Sequence, residues 1–174
     1  MTDWPVKSTG LGFAHELAGP ANEEWYTPKY IFDALGLRFD LDPASPGAEF
    51  VPWIPAAKHY TQADNGLVQP WEGKVWLNPP YGIETPHWLR KFIQHGNGVM
   101  LVFARTDTGW FHASATKADA LCFIKGRVQF VSGAGKGNGS GAGAGSLLLA
   151  MGDECATALM RCGLGLCIDM RERR

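Results

Sequence analysis

Asn78, Pro79, Pro80 and Tyr81 stand in a row directly after the apolar run Val75-Trp76-Leu77. An amide, two prolines and an aromatic ring at a strand end make a rigid, shallow pocket for one planar group that carries an NH2. Asn78 offers a side-chain carbonyl and Pro79 a backbone carbonyl as acceptors, and Tyr81 offers a ring face. This set suits an exocyclic amine, such as N6 of adenine, held in front of a methyl donor. The same four residues also describe a Pro-Pro turn closing a strand, because proline cannot donate to a ladder. The chemistry therefore depends on what else the chain brings to that strand end.

Two other segments are candidates to join it: Trp25-Tyr26-Thr27-Pro28, and Asp40-Leu41-Asp42-Pro43-Ala44-Ser45. A turn at Asp64-Asn65-Gly66-Leu67 leads through Trp71 to Asn78. The elements that must position these residues alternate between strand and helix. Thr27 caps and Pro28 opens a helix whose apolar face is Ile31, Phe32 and Leu35, with Gly36 as its stop. Phe39–Asp42 is a short strand ended by Pro43. Residues 43–72 are loop-rich, with five prolines.

Residues 74–77 form a second strand, and Thr85–His95 a helix with Trp88, Leu89 and Phe92 inward. The continuous apolar run 98–104 marks a buried parallel strand. A short helix over 110–116 follows, then strands over 120–124, 128–131 and 147–151, a helix over 154–161 and a last strand over 166–169. The pattern predicts an α/β fold with a mostly parallel central sheet flanked by helices. In such sheets ligands bind beyond the carboxyl ends of the strands. Asp42, Asn78 and Arg105 all fall there.

At 174 residues the chain suits one domain. Residues 1–22 read as an irregular arm, 23–174 as the domain, and 132–146 as a Gly-rich flexible loop rather than a phosphate cradle, because it lacks the GK[ST] ending. The net charge of −1 gives no global signature of a nucleic-acid binder. Any such contact must be local: Arg90-Lys91, Arg105, Lys125, Arg127, His112, or the terminal Arg171, Arg173 and Arg174. The four cysteines form no CxxC pair and sit in apolar contexts, which predicts buried free thiols. No pair of the five histidines has metal-ligand spacing, so no metal is assigned. The opening residues carry no signal-peptide pattern and no run is long enough to span a membrane, so a cytoplasmic location is expected.

Taken in order, these segments resemble the amino-group methyltransferases that use S-adenosylmethionine, and most closely the small phage-type DNA N6-adenine methyltransferases. The matching stretch runs from about Asn22 to Phe130. It comprises the Thr27-Pro28 helix start, the Asp42-Pro43-Ala44 strand end, the Asp64-Asn65-Gly66-Leu67 turn, the Asn78-Pro79-Pro80-Tyr81 motif and Gly126-Arg127-Val128-Gln129-Phe130. The resemblance implies a reduced Rossmann-like methyltransferase fold and transfer of a methyl group from S-adenosyl-L-methionine to a flipped-out adenine of double-stranded DNA.

It also implies roles. Asn78, Pro79, Pro80 and Tyr81 would be catalytic. Asp42 would face the ammonium of the cofactor's methionine part, with Trp25, Thr27 and Pro28 at the same end. Asp40 is either an alternative to Asp42 or a strand residue paired elsewhere. Asp64 would accept from the cofactor's adenine amine, unless it only caps its turn, and Glu49 would hold the ribose hydroxyls. Arg105, Lys125 and Arg127 would contact DNA. The Gly-x-Gly turn usual after the first strand is absent, with Ala44-Ser45-Pro46-Gly47 in its place. The motif also serves cytosine N4, RNA adenine and protein glutamine as acceptors, and a catalytically inactive DNA-binding protein of the same fold is a further alternative. A phage role in protecting DNA from host restriction would follow from the resemblance.

Overall fold

The computed structural model describes residues 25–133 and 143–173. The arm expected over 1–22 and most of the Gly-rich segment lie outside the described residues. In chain order the elements are β1 (Trp25–Tyr26), α1 (Lys29–Leu35), β2 (Phe39–Asp42), β3 (Ala56–His59), β4 (Val75–Leu77), α2 (Thr85–His95), β5 (Gly98–Phe103), α3 (Gly109–Ala115), β6 (Ala120–Ile124), β7 (Val131–Ser132), β8 (Ser146–Met151), α4 (Asp153–Arg161) and β9 (Gly165–Asp169).

Seven strands form one sheet in the order β3-β2-β4-β5-β8-β6-β9, and β1 pairs with β7 in a separate two-stranded ribbon. Strands β3, β2, β4 and β5 are parallel neighbours. Strand β8 then enters antiparallel between β5 and β6, and β9 is antiparallel to β6. The sheet is therefore mixed, which corrects the expectation of a mostly parallel one. The expectation fails in the carboxyl half because a fully buried strand is apolar on both faces whichever way its neighbours run.

Side chains alternate across the sheet. Phe39, Trp76, Val99, Leu101, Cys122, Leu148 and Ala150 point to one face, where α1 (Ile31, Phe32, Leu35) and α4 (Cys155, Ala156, Leu159) cover them. Leu41, Val75, Leu77, Met100, Val102, Leu121, Leu147 and Leu149 point to the other, under α2 (Trp88, Leu89, Phe92) and α3 (Phe111, Ala115). The result is three layers, helix–sheet–helix. Among the described residues no helix is long and apolar enough to cross a membrane.

Three local readings are corrected. Thr27 does not cap α1: the cap position is Pro28, no side-chain cap bond forms, and the Thr27 hydroxyl is buried without a partner. The strand expected over 128–131 shrinks to Val131–Ser132, although Val128 and Phe130 are buried. Strand β3 lies inside the stretch expected as loop.

Candidate active site

Strands β2, β4 and β5 run parallel and neighbouring, so their carboxyl ends meet at one edge of the sheet. Asp42 is the last residue of β2, Asn78 follows β4, and Arg105 lies two residues past β5. By alternation Asp42 and Asn78 both follow residues facing α2 (Leu41 and Leu77), so both turn toward the α1 side of the sheet. The geometry thus brings together the carboxylate and the amide that the sequence singles out.

Asn78 Nδ2 donates to the backbone carbonyl of Trp25 at 3.4 Å. That bond orients the amide, and Asn78 Oδ1 is then buried with no hydrogen-bond partner. A buried acceptor left unpaired costs about 1–3 kcal/mol, so this oxygen calls for a ligand, water or ion as its partner. Strand β1 therefore aims the amide, and the ribbon with β7 (Trp25 opposite Ser132, Tyr26 opposite Val131) holds β1 in place.

Pro79 is buried and Pro80 exposed. The Pro80 carbonyl accepts from Thr85 Oγ1 at 3.0 Å, and Thr85 Oγ1 in turn accepts from Gly82 N–H at 2.8 Å, which locks the turn onto the start of α2. Tyr81 stacks on Phe103, with ring centroids 4.3 Å apart and planes 16° from parallel. Burial pushes the Tyr81 phenol above its ordinary value, opposed by its bond with Phe103 N–H and by the Arg105 charge. Arg105 accordingly belongs to the same cluster as Tyr81. Past Tyr81, Ile83 stands 94% exposed at the tip of the turn.

Asp42 is buried, 3% exposed. Burial raises its carboxyl to about 7, against the lowering effect of bonds from Ala44 N–H and the Ser45 side chain. Its basic neighbour, His59, has Nδ1 3.9 Å from the carboxylate. His59 is itself held below its ordinary value by burial, so it is no ready counter-ion. Its Nε2 lies 3.2 Å from the Ala56 carbonyl and its Nδ1 2.8 Å from Ser45 Oγ. Asp42 is thus a desolvated acid held in a hydrogen-bonded frame and in want of a cation. Gly66 closes against the next residue: a Cβ there would meet the Pro43 carbonyl oxygen at 1.9 Å, so only glycine allows this approach. The Asp64–Gly66 turn is thereby pressed onto the strand end that carries Asp42.

The remaining predicted residues are placed as follows. Thr27 is buried, and its carbonyl accepts from Trp53 Nε1 at 2.8 Å. Asp40 turns to the opposite end of β4, where Oδ2 accepts from Lys74 N–H at 2.6 Å. Asp64 is exposed, and its Oδ2 caps Thr61 through both N–H (2.7 Å) and Oγ1 (2.8 Å), the bonds that hold its carboxyl below its ordinary value. Glu49 is exposed and contributes a charge felt at His59. Lys125 and Arg127 are exposed beyond the carboxyl end of β6, separated from β5 by β8. Lys91 is not available to DNA: its amino group donates to the Gly66, Leu67 and Gln69 carbonyls and sits 4.8 Å from the Trp71 ring centroid.

The structure adds residues that the sequence did not mark. His59, Phe103 and Ser146 meet the site only through the fold. Ser146, opposite Phe103 in the β5–β8 pairing, has a buried hydroxyl without a partner. Ser45, which also meets His59, closes the strand-end segment that the sequence singles out.

No solved structure matches the chain. The DNA N-6-adenine-methyltransferase of Haemophilus phage HP1 (strain HP1c1) is 28% identical over 119 residues, covering 62% of this chain and 66% of that protein. The chain thus spans just under two thirds of that relative's length. The family described as DNA N-6-adenine-methyltransferase (Dam) matches residues 15–159, most of the chain and all of the strand ends just described. The chain belongs to the DNA N-6-adenine-methyltransferase (Dam) family.

Proposed function

We propose that this chain is an S-adenosylmethionine-dependent DNA adenine-N6 methyltransferase with a reduced Rossmann-like fold. The observation that carries the proposal is Asn78 Oδ1, a buried acceptor with no partner at the carboxyl end of β4, beside a stacked tyrosine. An acceptor in that state lacks an N–H, and the exocyclic amine of adenine supplies one.

The donor set also fits the cofactor. A buried carboxylate raised to about 7 with no strong cation at hand suits an ammonium, and the unpartnered Thr27 hydroxyl offers a further polar contact. Asp42 and Thr27 would hold the methionine end, with Trp25 and Pro28 beside them. Asp64, on the turn pressed against Pro43, would take the adenine amine of the cofactor. S-adenosylmethionine, when bound, supplies a methyl group on a sulfonium.

The chain's own contribution is positioning and electrostatics. Asn78 Oδ1 and the Pro79 carbonyl accept from the two N6–H groups of the target base. Those bonds draw the nitrogen from planar toward tetrahedral geometry and free its lone pair from the ring. Trp25 keeps the Asn78 amide from rotating. The proton lost from N6 passes to solvent after attack, since no general base is needed to start the reaction. Tyr81, with one face already on Phe103, offers the other to the base, which must leave the duplex to reach it. Ile83, two residues past Tyr81 and 94% exposed, would fill the gap that the base leaves, as apolar wedges do in DNA-bending proteins. Arg105, Lys125 and Arg127 would meet phosphates or base edges.

Incubation with labelled S-adenosylmethionine and unmethylated duplex DNA, followed by nucleoside analysis, tests the proposal. N6-methyladenine is the expected product. Label in N4-methylcytosine, RNA or a protein amide would replace the substrate assignment, and absence of cofactor binding would make the chain an inactive binding module.

A further inference from the structure

Three of the four cysteines, one of them forty residues or more from the other two, converge on one point. Cys122 lies on β6, Cys162 follows α4, and Cys167 lies on β9. Cys122 and Cys167 are direct cross-strand partners, so their side chains share a face. Cys162 Sγ is 3.9 Å from Cys122 Sγ, and all three sulfurs lie within 4.8 Å of one another. Three thiols gathered against one face of a sheet are more than packing requires, because any small apolar side chain would fill the same volume.

The spacing has a chemical meaning. Zinc binds thiolates at about 2.3 Å, and a tetrahedral arrangement then sets neighbouring sulfurs about 3.8 Å apart. The Cys122–Cys162 separation already matches, and small rotations would bring in Cys167, whose sulfur now makes weak contacts to the Leu159 and Gly165 carbonyls. Cys122 is fully buried, while Cys162 and Cys167 are half-buried. Two residue pairs along the same strands, Ile124 and Gly165 line a cavity of about 630 Å³ that is open to solvent and also lined by Tyr30, Lys125 and Gly163. Gly163, the chain neighbour of Cys162, is part of that lining, so solvent comes close to the half-buried side of the cluster. An all-sulfur set selects soft d10 ions over magnesium or calcium.

We propose that Cys122, Cys162 and Cys167 form a three-thiolate site for one Zn²⁺ ion, with a water molecule as its fourth ligand. Binding converts three S–H groups to thiolates and releases their three protons to solvent, with no change of oxidation state. The site lies at the β6–β9 end of the sheet, away from the carboxyl ends of β2 and β4. Its role is to fasten the end of α4 and strand β9 to β6.

The test uses the full chain, reduced, stripped of metal with a chelator and kept anaerobic. Titration with Co²⁺ is expected to give a thiolate-to-cobalt charge-transfer band that saturates at one ion per chain and is displaced by Zn²⁺. Native mass spectrometry is expected to find one zinc. C162S and C167S should each weaken zinc binding at least tenfold, with unchanged far-ultraviolet dichroism, whereas C155S should leave it unaltered. Zinc should also raise the Tm of the unmodified chain and chelation should lower it. Failure to develop the band while all four thiols remain titratable would overturn the proposal. So would formation of a Cys122–Cys162 disulfide in place of metal uptake, or an equal effect of C155S.

Discussion

Phe103 holds Tyr81 at both ends. Its ring stacks on the Tyr81 ring at 4.3 Å, and its backbone N–H donates to the Tyr81 hydroxyl at 2.9 Å. The tyrosine that follows the Asn-Pro-Pro segment is thus pre-set in orientation before any base arrives. The two contacts can be separated by substitution. Tyr81→Phe keeps the stack and leaves one N–H unpaired, so it should lower stability by about 1 kcal/mol and leave most of the turnover. Tyr81→Ala removes the platform and should weaken the step that captures the base by about 1–3 kcal/mol. Single-turnover kinetics on duplex DNA would distinguish them, and equal losses in both variants would show that stacking is not what Tyr81 supplies.

Asn78→Ala should reduce methyl transfer by about a hundredfold to a thousandfold, the range for loss of one preorganised polar contact. Cofactor affinity, measured by calorimetry, should stay within about threefold, since the proposed role of Asn78 is toward the acceptor base and not the cofactor. Turnover within tenfold of the parent would sink the mechanism.

If Asp42 holds the cofactor's ammonium as proposed, cofactor binding should depend on pH. Its folded-state value of about 7 lies above the 3.8 of an ordinary aspartate. An ammonium needs the ionised form, so affinity should be flat above pH 7 and fall about tenfold per pH unit below it. The same shift acts on stability with a definite sign. The folded chain holds this proton more tightly than the unfolded chain, so the Asp42 contribution makes stability fall as pH rises from about 4 to 7. At pH 8 Asp42→Asn should therefore stabilise the ligand-free protein, by an amount on the order of 2–4 kcal/mol, while weakening cofactor binding at least tenfold. Thermal unfolding and calorimetry on both forms check this pair. An Asp42→Asn variant less stable than the parent at pH 8 would contradict the desolvation argument.

Ile83 is 94% exposed, so Ile83→Ala should leave thermal stability unchanged within about 0.5 kcal/mol. Its effect should appear only with DNA, as weaker base extrusion. A fluorescent adenine analogue at the target position would report this as a smaller rise in emission on binding.

The residues at the strand ends were legible in the sequence because the strands that carry them are short apolar runs ending abruptly in polar groups. Asp42, Asn78 and Arg105 could be placed on one edge without coordinates. Other parts were not legible, for identifiable reasons. The β1–β7 ribbon has two residues per strand, too few for any periodicity, yet it orients Asn78. Strand β3 is a half-exposed edge strand reading Ala-Ala-Lys-His, with no apolar alternation, yet it delivers His59 to Asp42. The unpaired Thr27 hydroxyl looks like a helix cap because a Thr-Pro pair at a helix start normally is one. The cysteine cluster depends on the β6–β9 register, which spacing along the chain cannot supply.

Strand β8 has a consequence for how the chain assembles. It lies between β5 and β6 in the sheet but is synthesised after both. Until residue 151 has left the ribosome, β5 lacks its antiparallel partner and both strands display open edges, which are templates for mispairing. The amino-terminal parallel unit can form early, whereas closure of the sheet must wait for a late and distant segment. A nascent chain stalled before Ser146 would be sticky rather than merely incomplete, so yield in a cell should respond to chaperone supply more than the stability of the finished protein would imply.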